Sequence, residues 1–145
     1  MEKKKLLFIF NPKAGMAQIK NHLLDIVDIM VKAGFETTIY TTQARGDATR
    51  KILEDGAHYD RIICSGGDGT LDEVVTGMHQ ADLSIPLGYI PAGSTNDFAK
   101  SLGIPNDMVK AAQIAVGDHI FSCDLGKFNE DTFIYIAGFG LFTEI

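Results

Sequence analysis

The sequence predicts an α/β domain with a mostly parallel sheet and helices on both faces. Short apolar, β-branched runs typical of buried strands alternate along the chain with segments in which apolar residues recur at helical spacing. Strands separated by helices need crossover connections, which make neighbouring strands parallel. A length of 145 residues fits one domain with a real core.

The first strand, helix and second strand are predicted within the first 41 residues. Residues 6–10 form an apolar strand that ends at Asn11-Pro12. A helix follows and is closed by Gly34. Residues 35–41 are β-branched and aromatic, which predicts the second strand. The apolar residues at helical spacing are Ile19, Leu23, Ile26, Val27, Met30 and Val31.

A second helix and a third strand precede a glycine-rich loop. Asp47 is a candidate cap for a helix that ends near Gly56, and residues 61–65 predict a buried strand. The loop then leads into a helix over residues 71–78. Its apolar side comprises Leu71, Val74, Val75 and Met78.

The second half continues the same alternation. Its polar turn at residues 129–131 predicts an antiparallel pairing of the last two strands. The predicted strands cover residues 85–90, 121–125 and 133–137, and the predicted helices cover 96–102 and 108–116.

Composition excludes several classes of function. The net charge of -6 gives the chain no electrostatic reason to bind nucleic acid, and we interpret the cluster at residues 3–5 as a solvated terminus. No apolar run is long enough to cross a bilayer. Cys64 and Cys123 lie in strand-like runs, which indicates buried apolar residues in a reducing cytoplasm.

Three unusual loops follow predicted strands, at residues 11–15, 66–70 and 91–97. In parallel sheets ligands collect at the carboxyl ends of the strands. The glycines of the second loop remove the Cβ atoms that would keep an anion from backbone N–H groups at a helix start. This arrangement predicts a phosphate site, although the GxGxxG and P-loop patterns are both absent from the sequence.

Asp68 is the informative residue of the glycine loop. A carboxylate within a phosphate site is explained if a divalent cation binds beside it or if it belongs to a hydrogen-bonded network. The alternative is that Asp68 only caps its own helix or bonds turn amides. In the third loop four polar side chains precede a helix, and we expect Asn96 or Thr95 to be the N-cap.

Taken together, these motifs resemble the diacylglycerol kinase catalytic domain family, shared by bacterial lipid kinases, eukaryotic diacylglycerol kinases and sphingosine kinases. NAD kinases and phosphofructokinases share the GGDGT loop, whereas LDEVVTG and PAGSTNDFA favour the lipid kinases. The matching stretches are Asn11-Pro12 with Gly15, GGDGTLDEVVTG at 66–77, PAGSTNDFA at 91–99 and Asp124-Leu125-Gly126.

The resemblance implies ATP-dependent phosphoryl transfer to a lipid hydroxyl, with magnesium (Mg²⁺). Diacylglycerol, giving phosphatidic acid, is the leading acceptor, and phosphatidylglycerol and sphingoid or ceramide-like alcohols are alternatives. A NAD or other nucleotide kinase, or a regulatory domain that binds nucleotide without turnover, also stays open.

The resemblance also implies roles for individual residues. Asp68, Asp97 and Asp124 would form the catalytic acidic network that organises magnesium through water. Asp72 and Tyr135 stand where relatives often carry asparagine, and Asp72 would place a negative charge beside the phosphates unless a metal or Lys13 offsets it. The implied ATP-binding residues are Asn11, Pro12, Lys13, Ala14, Gly15, Thr42, Gly66, Gly67, Asp68, Gly69, Thr70, Leu71, Asp72 and Ser94.

By the same resemblance, residues 1–145 are the nucleotide-binding domain of a longer two-domain kinase. A β-rich C-terminal domain would supply the catalytic base. The apolar ending at residues 138–145 fits such a continuation, and without its covering partner it would promote self-association, including a homodimer. We expect a cytoplasmic protein that contacts the membrane peripherally and briefly to reach its lipid substrate.

Overall fold

The fold is a six-stranded, mostly parallel sheet with helices on both faces. The computed structural model describes residues 3–14, 18–92, 96–124 and 133–138. The strands are β1 (Lys4–Phe10), β2 (Phe35–Thr41), β3 (Arg61–Gly66), β4 (Leu87–Pro91), β5 (Ile120–Asp124) and β6 (Phe133–Ala137). The helices are α1 (Ile19–Lys32), α2 (Asp47–Asp55), α3 (Asp68–Gln80), α4 (Asp97–Leu102) and α5 (Met108–Ala115), and a short 3₁₀ turn at Gly56–His58 follows α2.

The strand order is β2-β1-β3-β4-β6-β5. The pairs from β2 to β6 are parallel, and only the β5–β6 pair is antiparallel. Every residue of β3 and β4 is buried, because these central strands are covered on both faces. This confirms the predicted fold class and the antiparallel pairing of the last two strands. It also confirms that continuous apolar runs form the central strands.

Close contacts of two glycines show that the helices occupy both faces. Gly88 in β4 is level with Ile63 in β3, and a Cβ on Gly88 would lie 2.5 Å from the Cβ of Ala115 in α5. Gly66 points to the other face, because it is an odd number of residues from Ile63. A Cβ on Gly66 would lie 2.6 Å from the Cβ of Thr70 in α3.

We expect Gly88→Val to destabilise the protein severely. The added atoms would overlap Ala115, whose Cα and carbonyl oxygen lie 3.0 and 3.1 Å from the site of the new Cβ and cannot move without shifting α5. Overpacking of this kind costs about 1–3 kcal/mol, and more where backbone must move. Urea denaturation measures the loss. The control is Gly46→Asn, since Gly46 has φ of 84° and open space, and asparagine tolerates that conformation; equal midpoints for both variants would contradict the prediction.

The predicted starts of α2 and α3 need correction. Asp47 is the first residue of α2 rather than its cap, and Gly46 holds the N-cap position with no side-chain cap bond. The helix after the glycine loop begins at Asp68, not at Leu71. Asn96 does hold the N-cap position of α4, but it is left-handed (φ 50°, ψ 47°) and makes no side-chain cap bond. Thr95, the alternative cap, lies outside the described residues.

The buried interpretation of the cysteines is confirmed for Cys64. Its side chain is fully buried in β3, and burial raises the pKa of its thiol. Cys123 is half-buried in β5. In the described part of the chain, no helix is both long and apolar enough to cross a membrane.

Candidate active site at the carboxyl edge of the sheet

A cavity of about 590 Å³ opens at the carboxyl ends of β1, β2 and β3. This size and position are typical of ligand sites in parallel α/β sheets. Its walls come from the loops after these three strands and from the first turns of α3. The lining residues are Asn11, Lys13, Ala14, Thr42, Gln43, Ala44, Arg45, Gly67, Gly69, Thr70 and Glu73.

The loop after β1 is a compact turn built around Asn11. The Asn11 side-chain oxygen accepts from the Lys13 amide at 3.0 Å, and its carbonyl accepts from the Ala14 amide at 3.2 Å. The Asn11 amide donates to the Ser65 carbonyl at 3.1 Å, which ties this turn to the end of β3. The turn therefore presents Lys13, an exposed cation, on the wall of the cavity.

Hydrogen bonds from β4 and the residue after it hold the glycine loop in place. The Gly66 carbonyl accepts from the Ala92 amide and from the Tyr89 hydroxyl, both at 2.9 Å. Tyr89 is buried, and burial raises the pKa of its phenol, so it serves as a neutral donor. These bonds position the start of α3.

The first amides of α3 face the cavity without helical partners. The N–H groups of Asp68, Gly69 and Thr70 have no intrahelical acceptor, because an α-helix leaves its first donors unpaired. A Cβ on Gly69 would meet no atom within 4 Å, and Gly69 is not in the left-handed region. The fold itself therefore does not require glycine at position 69, and the open space beside these donors fits an anion.

Asp68 joins the glycine loop to α4. Its carboxylate accepts from the Asp97 amide at 3.1 Å and from the Phe98 amide at 3.4 Å. Asp68 thus bonds the first amides of α4, whereas the alternative interpretation had it capping its own helix or bonding turn amides. A carboxylate has further acceptor sites, so this capping role leaves room for a water or metal contact.

The three predicted catalytic carboxylates are not all brought together. Asp68 and Asp97 are adjacent through the bond just described. Asp124 is paired with Phe133 at the amino end of β6, and Ile136 is level with Leu87, the first residue of β4. At the usual rise per residue, Asp124 lies roughly 20 Å along the strand direction from the cavity edge.

The remaining predicted ATP-binding residues fall into three groups. Asn11, Lys13, Ala14, Thr42, Gly67, Gly69 and Thr70 line the cavity, with Pro12 and Gly66 adjacent in the same loops. Leu71 is buried in the core, and Asp72 is exposed and does not line the cavity. Tyr135, the other departure from the family pattern, is exposed on β6 and does not line the cavity either. Gly15 and Ser94 lie outside the described residues.

Part of the cavity lining was not predicted from the sequence. Gln43, Ala44 and Arg45 come from the loop after β2, where only Thr42 was predicted, and Glu73 comes from α3. The signal that could have found the loop was positional, because it also follows a parallel strand at the carboxyl edge.

The described residues fit magnesium through a water-mediated contact rather than through a cluster of ligands. Among the residues that the structure describes, no group of three or more His, Cys, Asp or Glu side chains could hold a metal ion. Asp68 has unused acceptor sites beside the first amides of α3, and it fits an indirect contact to magnesium through water.

Fold and cavity together define a parallel α/β domain with a cavity at its carboxyl edge, next to the N-terminus of α3. Residues 5–128 match the model of the diacylglycerol kinase catalytic domain, and the chain belongs to that family. This confirms the family predicted from the motifs.

Similar proteins agree with this assignment. The chain is 40% identical over 147 residues to a diacylglycerol kinase of Staphylococcus carnosus (strain TM300), covering 99% of this chain and 47% of that protein. It is 42% identical over 144 residues to a diacylglycerol kinase of Bacillus subtilis (strain 168), covering 98% and 48%. The crystal structure of a diacylglycerol kinase from Bacillus anthracis str. Sterne superposes with a TM-score of 0.75 at 35% identity, covering 84% of this chain and 42% of that one. The chain thus spans about half the length of the curated relatives it matches.

Proposed function

We propose that this chain is the nucleotide-binding domain of a lipid kinase that transfers the γ-phosphate of ATP to a lipid hydroxyl. Diacylglycerol, giving phosphatidic acid, is the acceptor that the names of the relatives favour. The observation that carries the proposal is the open space at Gly69, in a cavity of about 590 Å³ and beside the α3 amides that have no intrahelical acceptor.

The residues of this chain would act by positioning and by charge. The amides of α3 and the Lys13 ammonium would bind the phosphates, since catalysis of phosphoryl transfer is mainly orientation and electrostatic stabilisation. Asp68 would hold the water shell of a magnesium ion while keeping α4 in place, with Asp97 beside it. Magnesium, when bound, would neutralise charge on the transferring phosphoryl group.

The proposal includes the larger protein. We infer that residues 1–145 are one of two domains, that a β-rich domain supplies the base for the lipid hydroxyl, and that membrane contact is peripheral and brief in a cytoplasmic protein. Asp124 lies far from the cavity. Its predicted role in the acidic network therefore requires a separate part of the site, formed with the second domain. A homodimer stays a prediction.

Transfer assays on the full-length protein test the function. With labelled ATP, we expect transfer to diacylglycerol in detergent micelles and none to NAD. A parallel panel of phosphatidylglycerol, sphingosine and ceramide identifies the preferred lipid. Transfer to NAD alone would contradict the lipid kinase, and nucleotide binding without transfer to any acceptor would favour the regulatory domain.

The isolated chain provides a second test. We expect residues 1–145 to bind ATP weakly in calorimetry, because the proposed phosphate-binding loops lie in this chain, yet to transfer no phosphate, because the proposed base lies in the second domain. Turnover by this chain at even a few per cent of the full-length rate would show that the base lies within it.

A further inference from the structure

The loop between β2 and α2, at residues 43–46, presents a cation to the cavity that no motif predicted. Arg45 lines the cavity, is exposed and makes no hydrogen bond or ion pair within the described part of the chain. Lys13 lines the same cavity from the loop after β1. An exposed arginine alone is ordinary surface, so the inference depends on how its loop is held.

Asp47, two residues after Arg45, holds this loop in place through its carboxylate. Its carboxylate accepts from the Gln43 amide at 2.8 Å, from the Tyr40 hydroxyl at 2.7 Å and from Arg50 Nε at 2.9 Å. The hydrogen bond from Tyr40, followed by that from the Gln43 amide, lowers the pKa of the Asp47 carboxyl, which therefore stays ionised. The backbone on both sides of Arg45 is thus held by one carboxylate.

Glu73 ties the same region to α3. Its carboxylate accepts from the Ala48 amide at 3.3 Å, and its carbonyl accepts from the Thr49 hydroxyl at 2.7 Å. The start of α2 is therefore held against the helix whose first amides open into the cavity.

The other charged side chains around the loop are already used in hydrogen bonds or ion pairs. Asp47 and Arg50 are paired with each other, and Glu73 is used by the start of α2. Lys13 and Arg45 remain as cations of the cavity wall whose side chains make no hydrogen bond or ion pair within the described residues. Two such cations, on separate loops around one set of unpaired amides, match a ligand with more than one phosphate.

We propose that Arg45 is a phosphate-binding residue of the nucleotide site and that Asp47 is the positioning residue that holds it there. The inference rests on the proposed function, since it takes the ligand to be the phosphate chain of a nucleoside triphosphate. Guanidinium is suited to this role because it binds phosphate oxygens in a bidentate manner.

Calorimetry on the full-length protein tests the first part. We expect Arg45→Gln to weaken ATP binding by about tenfold or more, the effect of losing a charged hydrogen bond, and to leave adenosine binding unchanged. Arg45→Lys should keep part of the affinity. Lys32→Gln is the charge-matched control, because Lys32 is exposed in the last turn of α1, pairs with Asp28 and does not line the cavity.

Steady-state kinetics test the positioning role. Asp47→Asn should raise the KM for ATP with little change in kcat, and the double variant Arg45→Gln/Asp47→Asn should be no worse than Arg45→Gln alone, since both act through one contact.

Three results would overturn the inference while leaving the proposed function intact. These are ATP binding by Arg45→Gln within about twofold of wild type, an equal loss for ATP and adenosine, or additive effects of the two substitutions. Failure of the wild-type protein to bind ATP would overturn the proposed function and the inference together.

Discussion

Asp68→Asn in the full-length protein is expected to lower the rate of phosphoryl transfer by about 100-fold or more while the protein stays folded. Asparagine retains one acceptor oxygen, so at least one of the bonds from the Asp97 and Phe98 amides can persist. It removes the negative charge that would hold the magnesium water shell. Loss of such a group costs about 10–100-fold in activity or metal affinity, and more where transition-state charge is stabilised directly.

Comparison with a second cap separates the two roles of Asp68. Asp107 accepts from the Val109 and Lys110 amides at 3.0 and 3.1 Å and caps α5 away from the cavity. Asp107→Ala should lower the free energy of unfolding by about 1 kcal/mol without loss of turnover. Asp68→Ala should show a similar loss of stability together with the loss of turnover. Near wild-type turnover by Asp68→Asn would mean that Asp68 only caps α4.

The Asp68 carboxylate is expected to contribute to folding as well as to turnover. Because Asp68 reaches the start of another helix, its removal by alanine leaves two amides of α4 without their acceptor. Such a partner, 29 residues away along the chain, leaves no periodic or local signal.

The fold was largely predictable, because its signals are local. Apolar runs separated by helical periodicity identify the strands and helices, and the crossover argument makes the sheet parallel. Exact element starts were less predictable. Aspartate is a residue type that often caps helices. The Asp47 carboxylate, however, accepts hydrogen bonds from Tyr40 and Arg50, and Gly46 takes the N-cap position.

The site was predictable where motifs mark it and not where only tertiary structure does. The turn at Asn11 and the glycine loop both reach the cavity as expected. Arg45 was missed because no motif surrounds it. Asp124 was grouped with Asp68 by motif alone, whereas the register of β5 and β6 places it near the opposite edge of the sheet. Proximity across a sheet depends on strand order and register, which motifs do not encode.

Gly69→Ala is expected to leave the fold intact and to remove nucleotide binding. Gly69 is the second residue of α3, and its Cβ would enter open space, so the substitution meets no protein atom. Alanine is favoured over glycine in helices by up to about 1 kcal/mol, and stability should be unchanged or slightly higher. The methyl group would instead occupy the space beside the unpaired amides, where a phosphate oxygen must approach closely.

Thermal unfolding and ATP calorimetry on the same preparation separate these effects. For Gly69→Ala we expect a wild-type or higher Tm and no detectable ATP heat, whereas adenosine, lacking phosphates, should bind as it does to wild type. Gly66→Ala is the contrasting control, because its Cβ would clash with the Thr70 side chain at 2.5 Å and should lower the Tm. Wild-type ATP affinity in Gly69→Ala would mean that the phosphates do not approach the start of α3, and the nucleotide site would then have to be placed elsewhere on the domain.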